Sequence, residues 1–506
     1  MEAYIEVINR YIPTTKTFKL STILGIIFKQ SSINSFIIFI AFAIGGYNTM
    51  FLYVEFMTPQ YYGLIVFLLS AANIMMPFTA FGVHHAMIKF YPAYKSKKDK
   101  DAFLSWALLI PLCIAIPTGV LGTAFYEKIS ELLSVKNEII KSYTYIIYAV
   151  AISTAYFEVF YAWTKVHLQS VFGNALKELF HRVATFILLV LTAFKIINVD
   201  QFINLLMLSY FLKTLFMFGY AFIVYRPKFT FRLPANFKEI LTYAGYIILA
   251  GSAGAILLEI DKVMLPSKQA IELTAYYTVG VFIASVIEVP GRAMSQILHP
   301  LTSKAIQENN MLEVASLYKR SAINLLLVSG LLFILVNVNV KELYKIIPNN
   351  DFSQGIYIVL MVSFAKLTNM ILGNNGAILS NSKYFKILLP LGIFMAIFVT
   401  FLNHWWIDVF GMNGAALSTL IVILVFNTLK VWYVHRKFSI IPFSLKTVQL
   451  VVIISLLFLV FNFWDFSFHP MINIVLKSSL IVFLYLYVIY KMKISDELQT
   501  LLSKYI

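Results

Sequence analysis

Fourteen apolar stretches, each close to the length of a membrane-crossing helix, limit what this chain can fold into more than any other feature. A helix needs roughly 20 apolar residues to cross the hydrocarbon core of a bilayer, which is about 30 Å thick. The stretches cover residues 33–54, 62–86, 103–126, 142–164, 183–199, 201–225, 240–260, 274–298, 320–340, 354–379, 384–407, 410–433, 446–464 and 470–490. They are continuous rather than alternating, which is typical of helices and not of a β-barrel. The sequence therefore predicts an all-α integral membrane protein with about fourteen transmembrane helices.

The composition excludes several other classes of protein. Of 506 residues, 60% are hydrophobic and only 13% are charged, whereas about 25% are charged in an average soluble protein. A soluble enzyme, a disordered chain and a DNA-binding protein are therefore excluded, and we expect no nucleic-acid partner. Cys113 is the single cysteine, so neither an internal disulfide nor a cysteine-based metal cluster is expected. We expect no metal and no cofactor.

The positions of the basic residues predict the orientation. Of the 40 lysines and arginines, 28 fall on the side of the predicted spans that carries the N-terminus, eight fall on the other side and four lie within spans. Cytoplasmic loops carry an excess of lysine and arginine. We therefore expect an even number of spans and both termini in the cytoplasm. The 45 phenylalanines and 30 tyrosines are typical of an AT-rich bacterial genome, so the expected location is a bacterial cytoplasmic membrane. Residues 1–29 carry four of these cations but no signal-peptide pattern, and are predicted to be a cytoplasmic segment.

Two segments of the chain resemble each other. Tyr61-Tyr62 begins the second stretch, which reaches Pro77, and Tyr276-Tyr277 begins the eighth, which reaches Pro290. Either the chain contains two related six-helix halves, or two apolar segments are alike by chance. The first alternative divides the chain into a cytoplasmic segment 1–29, an N-lobe 30–232, a C-lobe 233–440, and a last helix pair with a cytoplasmic tail, 441–506.

Four groups of short motifs follow one another along residues 25–445. They are Lys29-Gln30-Ser31-Ser32; Tyr62-Gly63-Leu64 with Pro77-Phe78, Phe81-Gly82-Val83 and Lys89-Phe90-Tyr91-Pro92; Glu259-Ile260-Asp261-Lys262-Val263-Met264 with Tyr277 and Val289-Pro290-Gly291-Arg292-Ala293; and Gly411-Met412-Asn413-Gly414-Ala415-Ala416 with Pro442-Phe443. In this order and spacing they resemble the Wzx-type polysaccharide-export flippases of the multidrug/oligosaccharidyl-lipid/polysaccharide superfamily. The resemblance implies two six-helix lobes around a central cavity. It also implies the transfer of undecaprenyl-pyrophosphate-linked sugar units from the cytoplasmic to the periplasmic leaflet.

Charged residues within the spans are the candidate site, because a charge at the bilayer centre costs roughly 2.5–3.5 kcal/mol on insertion scales. We expect Arg292, Lys213 and Lys366 to converge on the cavity and to bind the pyrophosphate, since cationic groups stabilise a desolvated phosphate. Glu158 and Glu288 would neutralise these cations in the empty carrier, or bind a coupling ion (H⁺ or Na⁺).

Each of these residues has a structural alternative. Glu288 and Arg292 are four residues apart and form a favourable helical pair if they only neutralise each other. Lys213 and Lys366 can extend along their stems towards an interface. Asp261 is a further candidate for charge balance, but it ends its span and is expected to be solvated.

Four other residues also have two interpretations. Pro77 and Pro290 are candidate hinges, because proline removes a helical hydrogen bond; the alternative is a static kink. His84 and His85 are either a hydrated pair or a pH sensor.

Two further groups are the in-span asparagines and one lysine. Asn73, Asn369, Asn374 and Asn375 either bind sugars or hold helices together. Lys477 is expected to be structural or lipid-facing.

The function expected from these features is that of a flippase working by alternating access for O-antigen (lipopolysaccharide), capsule or exopolysaccharide synthesis, and not that of an enzyme. A lipid II flippase and a cation-coupled multidrug exporter are alternatives within the same superfamily. A membrane polysaccharide polymerase or glycosyltransferase is an alternative of another class, although it would need a larger outer loop than this chain has. Expected partners are the lipid-linked glycan, membrane lipids, and a polymerase and chain-length regulator of the same pathway.

Overall fold

The computed structural model describes residues 20–234, 236–495 and 499, and these residues are almost entirely helical with no strand among them. The all-α membrane fold predicted from the sequence is therefore confirmed. The basic residues Arg10, Lys16, Lys19 and Lys504, which contributed to the predicted orientation, lie outside the described residues.

The chain divides into two compact units, Met1–Thr274 and Ala275–Ile506. The helices of the first unit are α1 (Leu20–Tyr47), α2 (Tyr53–Phe56), α3 (Pro59–Ala80), α4 (Val83–Phe90), α5 (Lys97–Ala124), α6 (Tyr126–Ser134), α7 (Tyr145–Val166), α8 (Val171–Ala175), α9 (His181–Ala193), α10 (Val199–Val224) and α11 (Phe237–Lys268). Helix α12 (Glu272–Ser285) crosses the boundary between the units.

The helices of the second unit are α13 (Val289–Gln307), α14 (Met311–Ile346), α15 (Ile356–Ile371), α16 (Asn375–Asn381), α17 (Leu388–Phe410), α18 (Met412–Phe438), α19 (Leu445–Asn462) and α20 (Pro470–Lys491). Short π-helical segments cover Asn48–Leu52 and Leu176–Phe180. Short 3₁₀ segments cover Tyr91–Ala93, Glu138–Tyr143, Val286–Glu288, Asn350–Gly355 and Phe385–Ile387.

Thirteen of the fourteen predicted spans are confirmed, since thirteen helical segments in the described part are long and apolar enough to cross a membrane. The remaining one, predicted over 183–199, corresponds to α9, which has 13 residues. The apolar run continues past Ala193, but Lys195 has a positive φ of 57° and the helix ends before it. The apolar run overestimates the length of α9, because hydropathy does not show where the backbone leaves the helical conformation. The helical segments Val171–Ala175 and Leu176–Phe180 precede α9 without a gap.

Helix α3 shows how local sequence sets the ends of an element. The Thr58 side chain accepts a hydrogen bond from the backbone N–H of Tyr61, and Pro59 occupies the first turn, where its missing N–H costs nothing. At the other end, Phe81 and Gly82 adopt positive φ values of 48° and 64°. This left-handed pair separates α3 from α4.

Corresponding helices pack in the same way within the two units. In the first, α7 packs against α5 and α10, and α9 packs against α10. In the second, α15 packs against α14 and α18, and α17 packs against α18. This repeated order is what two related six-helix halves would produce. Helix α11 packs on α3 within the first unit. The predicted lobes 30–232 and 233–440 stay a prediction.

The last two helices, α19 and α20, pack on α14 within the second unit. The buried hydroxyl of Tyr485 donates a hydrogen bond to the Leu327 carbonyl at 2.7 Å. Lys477, expected to be structural or lipid-facing, is 1% exposed, and its ammonium pairs with Asp465. Lys477 is therefore a structural residue of this helix pair.

Candidate functional site

The first unit contains a cavity of about 320 Å³ with charged residues in its wall. Helix α7 contributes Glu158 and Lys165, the segment after it contributes Lys177, and α4 contributes His84 and His85. The remaining wall is mostly apolar and comes from α3, α4, α7 and α11, including the candidate hinge Pro77. We call this space the N-unit cavity.

Glu158 is held by a lysine that the sequence did not indicate as its partner. The Lys177 Nζ donates a hydrogen bond to the Glu158 Oε1 at 2.6 Å. The Glu158 side chain is 12% exposed and the Lys177 side chain 43%. The second lysine of the cavity, Lys165, has its Nζ 3.7 Å from the centre of the Tyr161 ring. Among the described lining residues, two ammonium groups thus face one carboxylate.

Lys213, predicted to bind substrate, lies in the same unit on α10 and is 5% exposed. Its Nζ is 4.7 Å from the centre of the Phe157 ring and 4.6 Å from that of Tyr210. A cation over an aromatic face is stabilised by the ring quadrupole. The burial of Lys213 among these rings favours a position inside the unit over extension along a lipid-facing surface, and its role in substrate binding stays a prediction.

His84 and His85 follow the span Pro59–Ala80, and their rings are 4.2 Å apart. Burial, followed by the neighbouring His85, lowers the pKa of His84 to about 3. Burial also lowers the pKa of His85. Both rings are therefore neutral near pH 7, so the net charge of the cavity wall comes from its lysines and Glu158. His84 is partly buried and His85 is exposed, and both interpretations of the pair, as hydrated residues or as a pH sensor, stay predictions.

A second polar cluster in the first unit centres on Glu259 of α11, which was not among the predicted site residues. Its carboxylate accepts hydrogen bonds from Ser70 Oγ at 2.8 Å, from Asn73 Nδ2 at 3.3 Å and from Lys262 Nζ at 2.7 Å. The contact with Asn73 joins α3 to α11. The available sequence signal was an in-span glutamate three residues before a lysine.

Asp261 departs from its expected surroundings. The sequence placed it at the outer end of a span, in contact with water. It is instead 5% exposed, within α11. The expectation of a solvated Asp261 is wrong because α11 extends to Lys268 and packs on α3. A role in charge balance remains a proposal.

The second unit brings together Glu288, Lys366 and Arg292. The Lys366 Nζ donates a hydrogen bond to the Glu288 Oε2 at 2.8 Å, while the Arg292 Nη2 lies 3.9 Å from the same oxygen. The Arg292 side chain is 54% exposed, so its guanidinium retains room for another anion. We call these three residues the C-unit cluster. Its ratio of two cations to one carboxylate matches that of the N-unit cavity.

The local backbone explains how Glu288 reaches its partners. Helix α12 ends at Ser285, a 3₁₀ segment covers Val286–Glu288, and α13 begins with Pro290 in its first turn. The Ser329 hydroxyl donates a hydrogen bond to the Ile287 carbonyl at 2.9 Å, which satisfies a backbone acceptor at this break. Pro290 thus lies at an interruption of the helix, and Pro77 lies three residues before Ala80, the last residue of α3. The hinge role of both prolines stays a prediction.

Two of the asparagines that the sequence placed within a span, Asn374 and Asn375, connect helices of the second unit. Asn374 Nδ2 donates to Thr302 Oγ1 at 2.7 Å, and Asn375 Nδ2 donates to Tyr318 Oη at 2.6 Å. Both asparagines are buried. These bonds favour the structural interpretation over sugar binding for Asn374 and Asn375.

The predicted cations are therefore distributed between the units. Arg292 and Lys366 meet at one carboxylate in the second unit, and Lys213 is buried in the first. The convergence of all three on one pyrophosphate stays a prediction. The described residues contain no group of three or more histidine, cysteine, aspartate or glutamate side chains arranged to hold a metal ion.

Comparison with solved structures shows which proteins share this fold. The structure of a lipid II flippase, MurJ, in an inward closed conformation is 14% identical with a TM-score of 0.67, and the match covers 91% of this chain and 99% of that one. An inward-facing multidrug resistance MATE family transporter of the MOP superfamily is 15% identical with a TM-score of 0.56, covering 86% and 98%. These likenesses show an all-helical fold shared with membrane transporters.

The sequence gives a narrower assignment. A family model described as "Polysaccharide biosynthesis protein" matches residues 28–305, more than half of the chain. The chain belongs to this family, as the resemblance of its motifs predicted. No curated protein matches the sequence at a significant level.

Proposed function

We propose that this protein is a flippase that moves an undecaprenyl-pyrophosphate-linked oligosaccharide from the cytoplasmic to the outer leaflet of the bacterial cytoplasmic membrane. The proposal includes alternating access between the two sides and a place in O-antigen, capsule or exopolysaccharide synthesis. Membership of the polysaccharide biosynthesis family supports a lipid-linked glycan as the substrate.

The observation that carries the proposal is the surplus of cations in both charged clusters. Lys165 and Lys177 face Glu158, and Lys366 and Arg292 face Glu288. A desolvated diphosphate is stabilised by such ammonium and guanidinium groups, because charge-assisted hydrogen bonds to phosphate are the strong ones. A cationic drug would instead be repelled, so a multidrug exporter is disfavoured.

A lipid II flippase is the second candidate. The MurJ structure covers 91% of this chain with a TM-score of 0.67, and its substrate also carries a lipid-linked diphosphate. The cation surplus suits both substrates, whereas the polysaccharide biosynthesis family favours a surface glycan. An enzymatic role as polymerase or glycosyltransferase is not proposed, because the matching solved structures are those of transporters and a flippase.

The test is a leaflet-access assay in proteoliposomes. Purified protein is reconstituted with a fluorescent undecaprenyl-pyrophosphate oligosaccharide, with lipid II, or with a cationic dye, and a membrane-impermeant quencher reports the exposed leaflet. We expect transfer of the oligosaccharide, and loss of transfer in Arg292→Ala, Lys213→Ala and Lys366→Ala variants that still melt cooperatively. Transfer of the dye alone would refute the proposal, and transfer of lipid II alone would support the second candidate.

A further inference from the structure

We propose that the N-unit cavity is a separate diphosphate-binding site, at which Lys165 and Lys177 bind phosphate oxygens and Glu158 competes with the ligand for Lys177. The inference rests on the proposed function, because it names a first contact for the substrate's diphosphate. It differs from the predicted clamp of Arg292, Lys213 and Lys366, none of which lines this cavity.

The space and its wall suit a small anion. A volume of about 320 Å³ lies at the lower end of the range for ligand pockets. The polar side chains come from α4, α7 and the segment after α7, while the facing wall of α11 is apolar, with Ile247, Ile248 and Ala255. An anion in this space would therefore be bound from one side and shielded from water on the other.

The two lysines are held differently, and this difference assigns their roles. Lys165 lies over the Tyr161 ring at 3.7 Å, a contact that leaves its N–H donors able to meet an anion. Lys177 is bound to Glu158 at 2.6 Å. Because the Lys177 side chain is 43% exposed and that of Glu158 only 12%, Lys177 is the partner with freedom to move. A bound phosphate would draw Lys177 away from Glu158.

The location fits a site of first capture. Lys165 and Lys177 lie on the side of the spans that carries the N-terminus, which the distribution of basic residues predicts to be cytoplasmic. The substrate of the proposed reaction starts in that leaflet. Glu158 then makes the cavity selective for strongly negative ligands, because only such a ligand displaces the Glu158 carboxylate from Lys177.

The experiment measures binding of inorganic pyrophosphate to the purified full-length protein in detergent by titration calorimetry. We expect Glu158→Gln to bind pyrophosphate more tightly, by about tenfold, because its charge no longer competes for Lys177. Lys177→Gln and Lys165→Gln should each bind at least about tenfold more weakly. The gain expected for Glu158→Gln cannot come from misfolding. Lys345→Gln is the matched control, because it also removes a lysine paired with a glutamate, at 2.8 Å, but outside the cavity.

Three results would overturn the inference. One is an affinity in Glu158→Gln equal to or weaker than that of the wild type. Another is unchanged affinity in Lys165→Gln and Lys177→Gln. The third is stronger binding to vesicles containing phosphatidylglycerol than to pyrophosphate or farnesyl diphosphate, which would assign the cavity to a phospholipid headgroup.

The leaflet-access assay separates this inference from the proposed function. If Lys366→Met abolishes transfer of the glycan lipid but retains pyrophosphate binding at the cavity, both proposals are supported. If the wild type binds pyrophosphate with the expected effect of Glu158→Gln but transfers no glycan lipid, the proposed function fails while the binding site remains.

Discussion

Lys366 and Glu288 lie 78 positions apart in the sequence, yet the Lys366 Nζ donates a hydrogen bond to the Glu288 Oε2 at 2.8 Å. Arg292, four residues after Glu288, is the partner that helical spacing predicts, but its Nη2 lies 3.9 Å from that oxygen. The shorter contact therefore joins two helical segments of the second unit rather than one turn to the next.

This ion pair is expected to stabilise the second unit. A double-mutant cycle with Lys366→Met and Glu288→Gln should give a coupling free energy of about 1–3 kcal/mol, since both side chains are mostly buried. Thermal melting in detergent measures it. A parallel cycle with Arg292→Met and Glu288→Gln should give a smaller coupling. Equal couplings would contradict the preference for Lys366.

The pair formed by Lys477 and Asp465 should make stability depend on pH. The hydrogen bond from Lys477 lowers the pKa of Asp465. The stabilisation is therefore present above the unfolded pKa, about 3.9, and is lost as the pH falls through the lower folded pKa. We expect the difference in melting temperature between wild type and Asp465→Asn to shrink below about pH 4. A constant difference from pH 7 to pH 3 would contradict this assignment.

Gly63 is expected to tolerate no side chain. A Cβ at this position would collide with the backbone carbonyl of Ile271, which cannot move as a side-chain tip would. Gly63→Ala should cost about 1–3 kcal/mol of stability. Gly122 is the control, because a Cβ there meets nothing within 4 Å; Gly122→Ala should stabilise by about 0.5–1 kcal/mol. Equal melting temperatures for the two variants would show that the predicted collision is absent.

Pro290 is expected to act as a hinge for the conformational change during transfer, and not to stabilise the fold. Pro290→Ala restores a backbone N–H next to the 3₁₀ segment Val286–Glu288 and so favours a continuous helix. The rate of transfer in proteoliposomes should fall several-fold while the melting temperature stays the same or rises. Pro300→Ala, in the same helix, should leave the rate unchanged. A similar effect of both substitutions would remove the case for a hinge at Pro290.

The predicted orientation can be tested because the chain has one cysteine. In a Cys113→Ser background, Lys136→Cys should react with a membrane-impermeant maleimide on intact cells, or on spheroplasts if an outer membrane is present. Lys98→Cys should react only after permeabilisation. Both lysines are exposed; Lys98 is the second residue of the span Lys97–Ala124, and Lys136 lies in the connection that follows this span. The reverse pattern would invert the topology and place the N-unit lysines on the outer side.

Much of the fold was predictable because its determinants are local. Apolar length indicated thirteen of the spans, since a helix must cover the hydrocarbon core with its own residues. The interruption before Pro290 also has a local cause, because proline lacks the N–H that continues a helix. The C-terminal end of α9 was predicted too late in the chain, because hydropathy does not detect the positive φ of Lys195 that follows the helix.

The sequence by itself determined the class of the protein, thirteen of its fourteen predicted spans and the charged residues within them. Only the tertiary structure decided their partners: Lys177 for Glu158, Lys366 for Glu288, and Ser70 with Asn73 for Glu259. It also buried Asp261, which the sequence left in water. The physical reason is that insertion into a membrane depends on each segment's own hydropathy. The pairing of charges depends instead on which helices pack together, and that is set by contacts between residues far apart in the chain.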